Sequence, residues 1–172
     1  MTVNARGFPI CKAGKLQSTN TQQAIAACPN QIVGKGITHV EIAFAESPPV
    51  PVTSELVAFN GGVKGGVTTI LIHAYITVPT PAAIVTTVKI SKEHKGPYGL
   101  HSVASVPKIA GGAGSVTSFH LSFHRIFTYK GKKQSYFEAK CSHGRFLAEA
   151  EAVFRTGEKI GGSIVVPCQS KG

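Results

Sequence analysis

Alternation of apolar and polar residues governs the C-terminal half of this chain. From Phe119 to Phe123, phenylalanine and leucine alternate with histidine and serine. From Phe146 to Phe154, phenylalanines and alanines alternate with a second set that contains two glutamates. A period of two residues is the pattern of a β-strand that buries one face. We therefore expect antiparallel strands around a core that includes Phe119, Phe123, Phe137, Ala148, Ala150 and Phe154.

Shorter runs rich in Val, Ile and Thr fill the middle of the chain, and clusters drawn from 19 glycines and 10 prolines separate them. Many short strands joined by turns are typical of all-β proteins. The predicted strands span residues 38–45, 55–59, 66–78, 83–90, 100–106, 119–129, 135–141, 146–154 and 164–168. About eight or nine strands in mostly antiparallel order predict a single β-sandwich domain over residues 1–172, and a closed β-barrel is the alternative.

One short N-terminal helix, predicted over residues 18–28, interrupts this pattern. Ser18, Thr19 and Thr21 are the candidate N-caps, and Pro29 ends the helix. A helix of this length is marginal alone and needs tertiary contacts. Residues 47–51 include three prolines, and we expect them to form a rigid crossover between two sheets.

Four cysteines lie too far apart in the sequence for the close pairs that bind zinc. An even number without metal spacing favours two disulfides and an oxidising compartment, and four buried free thiols in a cytosolic protein are the competing interpretation. The simplest of three connectivities joins Cys11 to Cys28 and Cys141 to Cys168. No segment is long and apolar enough to span a membrane, and the first residues lack the apolar region of a signal peptide.

Catalytic signatures are sparse in this sequence. All eight acidic residues are glutamates, so a Ser-His-Asp triad is excluded, and the nucleophile-elbow pattern G-x-S-x-G is absent. His120 and His124 would lie about 13 Å apart along a strand, too far to share a metal ion. No sequence motif for a cofactor is present. The residues favour a non-catalytic domain, and a secreted hydrolase that uses histidine and glutamate is the alternative.

The chain is strongly basic, with a formal net charge of +10. From Thr87 onward it has 13 Lys and Arg against 5 Glu, whereas the first half has only 5 against 3. A predicted hairpin tip in this half combines cations with aromatic rings: Tyr129, Lys130, Lys132, Lys133 and Tyr136. Such a tip suits a polyanion, for example an anionic cell-envelope polymer, an acidic glycan or a nucleic acid. The alternative is a solvated tip whose lysines only aid solubility.

Several longer segments together carry a resemblance to known proteins: residues 8–11, 24–36, 57–61, 106–119, 125–136, 139–141 and 167–168. Over nearly its whole length the chain resembles a family of uncharacterised secreted, cysteine-containing, β-rich proteins of actinobacteria. The resemblance implies export, a signal peptide and a further β-rich segment upstream of Phe8, so we expect the domain to lack an N-terminal segment here. It implies a compartment and a fold, but no catalytic residues.

These observations combine into one expectation. The chain should be a non-catalytic extracellular or cell-envelope-associated β-domain that binds a polyanion through its basic C-terminal half. Neither a metal nor a cofactor is expected to take part.

Overall fold

The computed structural model describes residues 1–141 and 144–169. This part of the chain contains twelve strands and one α-helix, and every strand pair is antiparallel. The strands are β1 (Thr2–Val3), β2 (Ile32–Phe44), β3 (Ser47–Lys64), β4 (Val67–Ile76), β5 (Ala82–Lys92), β6 (Leu100–Ser105), β7 (Gly114–Phe123), β8 (Ile126–Tyr129), β9 (Lys132–Ser135), β10 (Phe137–Glu138), β11 (Arg145–Val153) and β12 (Lys159–Pro167). The all-β class is confirmed.

Six strands form one sheet, curled into a half-barrel, in the order β6-β5-β4-β3-β2-β7. Three two-stranded sheets accompany it, namely β1 with β10, β8 with β9, and β11 with β12. The strand count exceeds the predicted eight or nine for three reasons. The predicted strand over residues 119–129 is interrupted at His124 and Arg125, the predicted strand over residues 135–141 is divided at Tyr136, and β1 forms near the start of the chain.

The proline-rich segment 47–51 begins β3 instead of crossing between sheets. At this end β3 pairs only with β2, as in the pairing of Pro51 with Glu41, because its pairing with β4 begins at Leu56. One side of the segment is therefore a sheet edge. Proline is tolerated at an edge, since its missing N–H costs no hydrogen bond of the ladder.

Helix α1 (Thr21–Ala27) begins later than predicted, because the N-cap is Asn20 and not Ser18, Thr19 or Thr21. The Asn20 side chain accepts a 2.9 Å hydrogen bond from the Gln23 backbone N–H. The Gln23 side chain in turn accepts a 3.0 Å bond from the Asn20 backbone N–H. This reciprocal capping box satisfies two backbone donors that the first helical turn leaves open.

The helix covers one face of the six-stranded sheet, called here the helix face. The Cys11–Cys28 disulfide, predicted from the sequence, is present and joins the end of α1 to the N-terminal segment. Both cysteines are buried with Leu16 and Ala24. This cluster packs on sheet residues of the helix face: Val57, Phe59 and Leu71.

The opposite face, called here the core face, carries two apolar clusters. One joins Ala58, Ile70 and Ile90 of the sheet to the N-terminal segment and to Tyr136. The other lies toward the far end of the sheet and includes Ile109 in the loop after β6. The segments on either side of the β8–β9 hairpin therefore act as a second layer over part of the sheet.

The predicted core is wrong for four of its six side chains. Phe119 lies on the edge strand β7 with 72% of its surface exposed. Ala148, Ala150 and Phe154 are also exposed, because they belong to or adjoin the β11–β12 hairpin, which pairs with no other strand of the described residues. Phe123 and Phe137 are partly buried, with ring centroids 4.5 Å apart.

The β11–β12 hairpin is closed at its base by the second predicted disulfide, Cys141–Cys168. A hydrogen bond of 2.9 Å from the Cys168 N–H to the Gly144 carbonyl continues the ladder to this bridge. Nine residue pairs connect the two strands, from Arg145 opposite Pro167 to Val153 opposite Lys159. Within residues 1–141 and 144–169, no helix is long and apolar enough to cross a membrane.

Candidate functional site

The predicted basic tip is the turn of the β8–β9 hairpin. Lys130 and Gly131 are its two central residues, with φ angles of 51° and 74°. Positive φ at both positions is the signature of a type I′ turn, whose twist matches that of the flanking strands. Glycine adopts this conformation without steric cost, which explains Gly131. The turn therefore holds the lysines on a defined hairpin.

Tyr129 anchors the hairpin to the N-terminal segment. Its ring lies against Gly7, and a methyl group added at Gly7 would overlap with the ring. On its exposed side, the Lys130 ammonium lies 5.7 Å from the ring centroid, within the range of a cation–π contact. Tyr129 thus lies at the base of the tip as predicted, with its half-buried ring between Gly7 and the Lys130 ammonium.

The three lysines present their charges on different sides of the tip. Lys132 lies opposite Tyr129 and Lys133 lies opposite Thr128, on the other face of the ribbon. All three lysine side chains are exposed. The ion pairs within the described residues are Lys35–Glu55 and Lys159–Glu151, and neither involves the tip. The three charges are therefore open to a ligand.

Tyr136 does not belong to this surface, which corrects the prediction. The side chain is completely buried and its hydroxyl donates a 2.8 Å hydrogen bond to Asn60 Oδ1. Burial raises its pKa well above the ordinary range of tyrosine. Phe8 packs edge-on against the ring with the centroids 5.4 Å apart. Tyr136 is a core residue that supports the hairpin from inside.

Arg6 extends the basic surface, and sequence reasoning missed it. It is exposed, it precedes the Gly7 on which Tyr129 lies, and it lines a shallow cavity of about 370 Å³. Gly65 and Gly66 line the same cavity. A second, smaller cavity of about 150 Å³ shares Gly66 and is lined by Lys92. No local sequence signal joins Arg6 to the tip, because 124 positions separate it from Lys130.

Charge is distributed unevenly along the six-stranded sheet. The end near Arg6 carries Lys64 at the close of β3 and Lys92 at the close of β5. The opposite end, at the β2–β3 turn, carries Glu41 and Glu46 instead. The separation of charge is partial, because Glu93 follows Lys92 at the first end and Lys108, in the loop before β7, lies at the second.

Among residues 1–141 and 144–169, the histidines do not form a catalytic group. His120 Nε2 lies 3.1 Å from Ser122 Oγ, but both residues lie on the edge strand β7 and His120 is exposed. In the part of the chain that the structure describes, no hydrogen bond joins His120 to a glutamate. His73 is buried instead, and its Nε2 lies 3.0 Å from the Thr19 carbonyl oxygen. Desolvation lowers the pKa of His73, although the hydrogen bond to Thr19 opposes this shift.

Comparison with known proteins adds no relative. No family model, curated protein or solved structure matches the chain. The geometry of the site is therefore the basis for a functional hypothesis.

Proposed function

We propose that this chain is a non-catalytic extracellular or cell-envelope-associated β-domain that binds a polyanion through the tip of the β8–β9 hairpin. The observation that carries the proposal is the type I′ turn, which holds three exposed lysines on a hairpin anchored by Tyr129. The three neighbouring positive charges repel each other. An anionic partner would relieve this repulsion and would interact favourably with all three lysines.

The ligand class follows from the arrangement of the charges. The lysines lie on both faces of the tip, and Arg6 and Lys92 add cations along two neighbouring cavities that share Gly66. A single small anion would contact only part of this surface. A polymer with repeated anionic groups, such as an anionic cell-envelope polymer, suits it better.

One structural observation and one expectation from the sequence support the proposed location. The two disulfides are typical of proteins that fold in an oxidising compartment. The resemblance to secreted actinobacterial proteins points the same way. Measurement of the redox state of the cysteines in protein isolated from its source would test this part of the proposal, since free thiols at all four positions would contradict it.

The binding test uses heparin, a sulfated polymer, in a salt gradient. The tip variant carries Lys130→Asn, Lys132→Ser and Lys133→Ser, where asparagine is chosen because Asn-Gly favours a type I′ turn. Released counterions drive such binding, with a salt slope of about 0.7 to 0.9 per contact in nucleic acids. We expect the variant to elute at lower salt and its slope to fall by about 2.

The matched control removes the same charge elsewhere. Lys12, Lys15 and Lys108 are exposed lysines outside the tip, and their replacement by serine lowers the net charge equally. The control should retain most of the affinity if the tip is the site. Equal losses in the two variants would show that only net charge matters. Absence of salt-sensitive retention of the unaltered protein on heparin and on an anionic cell-wall polymer would reject the proposal.

A further inference from the structure

The β11–β12 hairpin has an apolar face without a partner. Because paired residues share a face, one side of the ribbon carries only apolar side chains and a glycine. All are exposed. They are Phe146, Ala148, Ala150, Ala152, Ile160, Gly162, Ile164 and Val166. A contiguous apolar surface of this kind is rarely left exposed to water, and it usually marks a site that another surface covers.

The two edge strands of the six-stranded sheet, β6 and β7, also lack a partner. On β7, Val116 and Phe119 lie on the core face with exposed fractions of 40% and 72%. Neither edge strand contains a lysine, arginine, glutamate or proline. Natural proteins use such residues to protect free edges from pairing. These two edges are therefore built to be paired.

Strand direction permits the hairpin to fill the space between these edges. The sheet has six antiparallel strands, so β6 and β7 run in opposite directions. A two-stranded antiparallel ribbon placed between them can be antiparallel to both neighbours at once. The result is a closed sheet of eight strands in which the free edges of β6 and β7 are both paired.

One hydrogen bond and one close approach place the hairpin beside its own sheet. The hydroxyl of Tyr98, two residues before β6, donates a 2.7 Å hydrogen bond to Glu149 on the polar face of the hairpin. At the turn of the hairpin, Arg155 Nη1 would lie 4.0 Å from a methyl group added at Gly112, so the turn lies close to the loop before β7. The hairpin is therefore hydrogen-bonded to its own chain near β6, and its turn lies near the start of β7.

We propose that the β11–β12 hairpin is a strap that docks between β6 and β7 of its own chain and closes the sheet. Docking buries the apolar face and Phe119 while Glu149, Glu151 and Lys159 stay in solvent. The Cys141–Cys168 disulfide keeps the two strands together, so the strap moves as one unit.

The first test places a fluorescent reporter at the gap. The chain has no tryptophan, so Phe119→Trp introduces the only indole. We expect a blue-shifted emission and weak quenching by iodide, because the closed sheet covers position 119. Adding Ile164→Ser, on the apolar face, should raise the quenching constant several-fold. Adding Val165→Ser, on the polar face, should leave it unchanged, although both side chains are about equally exposed, at 62% and 61%.

The second test uses the unaltered protein, so it does not depend on how a variant folds. Hydrogen exchange followed by mass spectrometry should show slow exchange along β6, β7, β11 and β12, in a protein that sediments as a monomer at every concentration. Rapid exchange of β7, or an indole at position 119 that is fully quenched in both variants, would overturn the proposal. Protection that appears only together with a dimer would overturn it too, because a second copy would then cover the hairpin.

Discussion

The hydroxyl of Tyr136 donates a 2.8 Å hydrogen bond to Oδ1 of Asn60, and both side chains are completely buried. Asn60 lies at a bulge in β3, where the same Oδ1 accepts a bond from the Gly62 N–H. Its Nδ2 donates to the carbonyls of Phe8 and Pro9. The Asn60 side chain thus links the sheet to the N-terminal segment and to Tyr136, which directly follows the β8–β9 hairpin.

Replacement of Asn60 by alanine should lower the free energy of unfolding by more than about 3 kcal/mol, because several buried polar groups lose their partner together. Tyr136→Phe removes one bond and should cost about 1 kcal/mol. Asn4→Ala is a suitable control, since the Asn4 side chain makes one half-buried bond, to the Ser135 carbonyl. Urea unfolding measures all three, and equal losses for Asn60→Ala and Asn4→Ala would contradict the linking role.

Alkaline solution should destabilise the protein through Tyr136. Burial raises the pKa of Tyr136 above that of the unfolded chain, near 10. The folded state then holds its proton when the unfolded state has released it, so stability present below about pH 10 is lost as the pH rises. Tyr136→Phe should lose less stability over this range. If the free energy of unfolding falls equally with rising pH in the unaltered protein and in Tyr136→Phe, this explanation is rejected.

Acid should act through His73. Desolvation lowers the pKa of His73 in the folded state. As the pH falls through about 6.5, the histidine of the unfolded chain therefore binds a proton while that of the folded protein stays neutral. Stability present above about pH 6.5 is therefore lost as the pH falls, by at most about 1.4 kcal/mol per pH unit. His73→Gln, which keeps a neutral donor for Thr19, should flatten this dependence. The same change at the exposed His120 should leave the profile as it is.

The two disulfides should differ in their resistance to reductant. Cys11 and Cys28 are each 1% exposed, whereas Cys141 and Cys168 are only half-buried. Reduction requires access of a thiolate or phosphine to sulfur. Mild reduction of the folded protein followed by alkylation and mass mapping should label Cys141 and Cys168 first. Prior labelling of Cys11 would show that the helix face opens more readily than its packing suggests.

Local pattern explains why much of the fold could be predicted. Alternation predicted strands throughout the chain, and turn residues predicted the tip at Lys130 and Gly131, because both signals act between residues close in sequence. The pairing of Cys11 with Cys28 was also the simplest choice for a short loop. The capping residue was wrong by one or two positions, since Ser18, Thr19, Asn20 and Thr21 all have side chains that can cap.

Tertiary structure decided which tyrosine of the predicted site faces water. Tyr129 and Tyr136 flank the same hairpin and have the same chemistry, yet only Tyr136 is buried, because Asn60 offers it a partner 76 positions away. Arg6 joins the basic surface for the same kind of reason, through the contact of Gly7 with Tyr129. Where strands and turns form follows from the sequence alone, because period and turn chemistry are local. Which face is covered depends on surfaces that meet only after the chain has folded.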